Sequence, residues 1–315
     1  MALLRSLPSP SDFFLSCTVI LALFDTVSAR TVHKEPFKLI LTPIHAAALA
    51  LAILFSLIFL IQSLSAAGKL GNKTKVLPSG LRGATYYVGP VYSFLIFFAG
   101  LSLVVYYILY AVTIIYTLNK SVRDLKPVTS VFVAGRDFVL HIAHWFILCS
   151  TIALLFVRQR IRRGEKESSD QGWSRVVEGV VDGVMLMALL TVIITSAALT
   201  GSLQKYDEQK ALSALSATRA YVALQAILTF YVILSAAWTW KKLRKDSEPD
   251  LIMIGQIVKY ISPFLILFAI FQITEYAFIY NSFMLYSSPG TVDDLLIARI
   301  IIIGVTNAII LWFAS

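Results

Sequence analysis

Apolar residues gather into seven long runs, at 37–65, 86–118, 129–157, 177–203, 212–240, 251–281 and 294–315, with short polar segments between them. Each run is about 20 residues or longer, the length a helix needs to cross a hydrocarbon core of about 30 Å. Lipid offers no water to backbone N–H and C=O groups, so a crossing segment must pair them internally, as a helix does. The pattern predicts an all-α, polytopic transmembrane bundle of seven core helices, one domain over residues 30–315.

Residues 1–29 stand apart. A short apolar run, Phe13 to Phe24, follows a long and weakly basic opening and precedes Val27-Ser28-Ala29. The small residues at Val27 and Ala29 fit a signal-peptidase site. An uncleaved eighth helix with Asp25 near its outer end is the other reading. Both put residue 30 on the same side of the membrane.

Composition removes the soluble alternatives. Hydrophobic residues make up 58% of the chain and charged residues 14%, against about 25% charged in an ordinary soluble domain. The longest connection, roughly 64–85, is too short to fold independently. The net charge of +9 does not point to nucleic acid, because the basic residues gather at helix ends, where lipid headgroups are the partners. Cys17 and Cys149 both lie within apolar runs and build no disulfide framework between loops.

The basic residues also predict the orientation. Three alternate connections hold Lys69, Lys73, Lys75, Arg82, then Arg158, Arg160, Arg162, Arg163, Lys166, Arg175, then Lys241, Lys242, Arg244 and Lys245, fourteen in all. The opposite set holds eight: Arg30, Lys34, Lys38, Lys120, Arg123, Lys126, Lys205 and Lys210. Cytoplasmic loops carry the excess. Residue 30 is then outside or lumenal and Ser315 cytoplasmic, in the plasma membrane or a membrane of the secretory pathway.

Candidate chemistry comes from ionisable groups inside the runs, which cost free energy in lipid and usually face the bundle interior. Asp137, His141 and His144 stand at i, i+4 and i+7, on one stripe of a helix. His45 enters the first run at a comparable depth. Gln272, Glu275 and Tyr276 lie near the outer end of the sixth run, Arg219 and Gln225 in the fifth, Arg299 and Asn307 in the last. The candidate ligand-binding set is therefore His45, Asp137, His141, His144, Arg219, Gln272, Glu275, Tyr276 and Arg299, open to the outer side.

Plainer readings compete. Arg136, Arg219 and Arg299 each stand early in an outside-to-inside run and can snorkel to the headgroups. The histidines can simply be buried and hydrogen-bonded. Glu275 lies about one and a half turns inside its helix, so its carboxylate needs a basic or histidine partner from another helix: Arg219, Arg299, His141 or His144. Asp182 could pair with a basic loop. The tyrosines, among them Tyr106, Tyr107 and Tyr110, read mostly as interfacial belts. Pro263 is the clearest kink position, with Ser262 able to bond a freed backbone group.

The seven runs, the short loops, the outward polar cluster and the outside N-terminus resemble the orphan seven-helix, receptor-like membrane proteins of fungi, in architecture over residues 37–315. Two patterns of rhodopsin-type receptors are absent. The last run reads Asn307-Ala308-Ile309-Ile310-Leu311, and the third ends Val157-Arg158-Gln159-Arg160. The resemblance implies a sensory protein taking a small molecule from the outer side, with membrane lipids as its other partner. A small-solute transporter is a second class. A membrane-embedded metal or haem protein, with His45, His141 and His144 as ligands, is a third. No motif names a catalytic residue or a cofactor.

Overall fold

The computed structural model describes residues 43–71, 82–119, 126–161, 172–202, 208–243, 255, 257–280 and 289–314. By its contacts the chain divides into residues 1–40 and 41–315. The first unit, and with it both readings of residues 1–29, lies outside the described residues, as do the loops that carry most of the charge asymmetry.

The second unit is a helical bundle. Its helices are α1 (Pro43–Gly71), α2 (Arg82–Asn119), α3 (Lys126–Ile161), α4 (Gly172–Gly201), α5 (Glu208–Leu243), α6 (Ser262–Tyr280) and α7 (Pro289–Ala314). There is no strand among the described residues. All seven helices are long and apolar enough to cross a membrane, which makes this an integral, multi-pass membrane protein. Each helix is apolar on nearly every side because its outer face meets lipid tails and its inner face meets other helices.

Each helix packs on the next, and α7 returns to α1, so the seven close into a ring in chain order. Across that ring α3 also packs on α5, and α7 touches α2. The helix most open to its surroundings is α4, with Val180, Val184, Met187 and Ile194 all exposed.

The tyrosines of α2 correct the belt reading. Tyr106, Tyr107 and Tyr110 are among the most completely buried side chains described. Tyr107 lies 5.5 Å from the Phe55 ring and 5.7 Å from that of Phe59, both on α1. Its hydroxyl donates to the Ile300 carbonyl of α7 at 3.0 Å. A tyrosine is amphipathic enough for an interface, but it is equally at home in a core once its hydroxyl finds an acceptor. At the other end of the bundle Trp238, Tyr260 and Trp312 stand exposed on α5, on the turn before α6 and on α7.

Pro263 behaves as its lack of an N–H requires. A π-helical turn, Ile257–Ile261, leads into α6, and the Ser262 hydroxyl donates to the Ile257 carbonyl at 3.0 Å. Close packing governs the α1–α7 contact. A Cβ on Gly304 would stand 2.5 Å from the Phe55 ring, so only glycine lets the two helices approach this near.

Candidate functional site

Asp137 lies in α3 less than four turns from its start. Its Oδ1 accepts from Arg136 Nε at 2.9 Å and from an Arg299 nitrogen at 2.8 Å. The other terminal nitrogen of Arg299 lies 3.0 Å from Glu275 Oε1. One guanidinium from α7 thus holds a carboxylate of α3 and a carboxylate of α6. A second guanidinium, Arg136, closes the cluster and lies over the Tyr110 ring of α2, 4.9 Å from its centroid. Two positive and two negative groups are gathered with side-chain exposures from 7% to 29%. Glu275 has the basic partner that its depth required.

The arginines do not behave alike. Arg136 is buried and the Arg299 side chain is only 14% exposed, so both turn inward and neither snorkels. The reason is electrostatic: two carboxylates at the same depth offer closer partners than the headgroups. Arg219 is exposed, and its Nε donates to the Tyr276 hydroxyl at 3.2 Å.

A cavity of about 90 Å³ opens beside this cluster, walled by α3, α4, α5, α6 and α7. Of the nine candidates, Asp137, His141, Gln272, Glu275, Tyr276 and Arg299 line it. His144, His45 and Arg219 do not. The His144 ring stacks on Phe268 of α6 at 3.6 Å between centroids and is buried one turn deeper than His141. The His45 side chain is half-buried on α1, a helix that contributes nothing to the wall. His141 stacks on the Tyr221 ring of α5 at 3.7 Å. The stripe on α3 is real, but its lower member faces a different neighbour.

The rest of the wall comes from residues that the sequence did not single out: Ala134 and Phe138 on α3, Ser196, Ala197 and Thr200 on α4, Thr218 and Val222 on α5. Ser196 and Thr218 hydroxyls lie 3.1 Å apart and join α4 to α5. Small hydroxyl residues are ordinary in membrane helices; only their position opposite the charge cluster marks them.

Asp182 accepts from the Tyr231 hydroxyl of α5 at 2.7 Å; the basic loops it was expected to meet lie outside the described residues. Among the described residues, no three His, Cys, Asp or Glu side chains converge to hold a metal ion; the ring faces of His141 and His144 are taken up by separate aromatic partners.

The chain was compared with protein-family models, with curated proteins and with solved structures, and nothing matched in any of the three.

Proposed function

We propose that this is a receptor-like, sensory membrane protein that takes a small polar molecule into the cavity among α3, α4, α5, α6 and α7 from the outer side. One observation carries the reading. Arg299 of α7 binds Asp137 of α3 and Glu275 of α6 in the cavity wall. A molecule that competes for any of these groups changes how three helices are held, and that differential contact is what a switch needs. The charge asymmetry of the loops supports the outer side as the route of access, since the cavity lies where α3, α5 and α7 begin.

The test is chemical access. In a background without Cys17 and Cys149, Thr200→Cys in the cavity wall should react with a membrane-impermeant thiol reagent on intact cells. A tag after Ser315 should be reached only after permeabilisation. Reaction of the thiol from the cytoplasmic side alone would defeat the outward-facing pocket.

Transport is the second reading, and one observation favours it. Beyond the cavity the His144 Nε2, the Tyr221 hydroxyl and Gln225 Oε1 are buried without a hydrogen-bond partner. A continued polar track suits a moving solute better than a closed binding site. Solute uptake into proteoliposomes, absent from protein-free vesicles, would favour transport over sensing.

A further inference from the structure

Resting on that reading of the cavity as a binding site, we propose that its ligand is a small zwitterion, a molecule carrying one ammonium and one carboxylate. Arg136 and Arg299 face Asp137 and Glu275, two charges of each sign, and the cluster is neutral as it stands. A buried charge without a partner costs several kcal/mol, so a ligand must leave this balance intact.

That condition separates the ligand classes. A simple carboxylate that takes Arg299 from Glu275 leaves Glu275 buried and unpaired. A simple ammonium that takes Glu275 leaves half of Arg299 unanswered. A zwitterion inserts into the Arg299–Glu275 pair with its carboxylate on the guanidinium and its ammonium on the glutamate. Every charge then keeps a partner. Asp137, whose side chain remains 29% exposed, lines the same cavity. Tyr276 and Phe138 in its wall supply aromatic surface, which a cation also favours.

Size narrows the class. Roughly 15 Å³ of such space accommodates one water, so about 90 Å³ gives room for roughly six water-sized bodies. Glycine and alanine are of that scale; a lipid headgroup with its chains, a peptide or a nucleotide is not.

The full-length protein in lipid nanodiscs should therefore be titrated with glycine, alanine, acetate, methylammonium and glycerol. Thermal stabilisation and calorimetry are the readouts. Glycine or alanine should bind at least about tenfold more tightly than the singly charged and uncharged probes. Glu275→Gln leaves the cluster with one excess positive charge, and its preference should move from the amino acids to acetate. That reversal is not something a purely structural glutamate would produce. The wild-type panel keeps the test decisive if the variant does not fold. Tighter binding of acetate, methylammonium or glycerol to the wild-type protein would overturn the zwitterion and leave the cavity as a binding site. Binding of no probe, with Thr200→Cys labelled from outside, would also overturn the zwitterion. Binding of no probe with Thr200→Cys unreactive from outside would remove the pocket reading as well.

Discussion

Two walls of one bundle are built by different means. Where α1 meets α2 and α7, the space is filled by rings: Phe55 and Phe59 against Tyr107, with Gly304 admitting the Phe55 ring. Where α3 faces α6 and α7 near one end, the helices are held by Arg299 between Asp137 and Glu275. In lipid, helices gain little from hydrophobic burial, because the tails are as apolar as the core; close packing and polar pairing remain. The first wall combines ring packing with neutral hydrogen bonds, from Tyr107 to the Ile300 carbonyl and from Gln62 to the Ala308 carbonyl. The second gathers charges, each dehydrated at a cost of several kcal/mol. The first wall shows that this chain can pack helices without charges. The proposed binding role rests on the second wall alone.

The largest expected effect tests that contrast directly. Arg299→Met strips both carboxylates of their shared partner and should destabilise by about 3–5 kcal/mol. Adding Glu275→Gln leaves only the neutral Arg136–Asp137 pair and should recover most of the loss. Both are measured by unfolding in detergent or by the folded yield from membranes. A double variant as unstable as the single one would mean that the cluster is a structural clamp, and the two walls would not differ as argued.

On the packed wall the probe is steric. Gly304→Ala drives a methyl group against the Phe55 ring and should cost about 1–3 kcal/mol, the usual range for overpacking. Phe55→Leu should relieve part of it. Additive losses in the double variant would show that the α1–α7 contact is looser than described. Within the same wall, Tyr107→Phe removes the bond to the Ile300 carbonyl. Its cost should be about 0.6–1.7 kcal/mol, from the average to the largest value measured for interhelical hydrogen bonds in a membrane protein, with ligand binding unchanged.

The contrast also explains what could be read without coordinates. The helices were legible because bilayer thickness fixes their length, and the charge of Glu275 demanded a partner at whatever depth it lay. The partner's identity was narrowed to four side chains by depth alone. Tyr106, Tyr107 and Tyr110 were not legible, since a tyrosine suits a belt or a core and only its neighbours decide. His45 shares the depth of the cavity, yet helix order in the ring keeps α1 away from it. The cavity's far wall, Ser196, Thr200 and Thr218, was silent because common residue types become informative only by position. Arg136 and Arg299 defied the snorkelling expectation because carboxylates nearby outcompeted water.

The smallest effect concerns the boundary between the polar and packed regions. His144 shares the α3 stripe with Asp137 and His141, but a rise of about 1.5 Å per residue puts it some 10 Å below Asp137. There it lies flat on Phe268, its Nε2 buried without a partner. An unsatisfied buried polar atom is a cost, and replacing it by an apolar group of similar shape is close to neutral or mildly stabilising. His144→Leu should therefore shift stability by no more than about 1 kcal/mol, in the favourable direction, and leave the affinity for glycine or alanine unchanged. His141→Leu alters the cavity wall itself and should weaken that binding. Equal losses of binding in the two variants would put His144 in the site after all. Loss of solute uptake in His144→Leu, with binding preserved, would instead mark the unpartnered nitrogen as part of a path across the membrane and decide for transport over sensing.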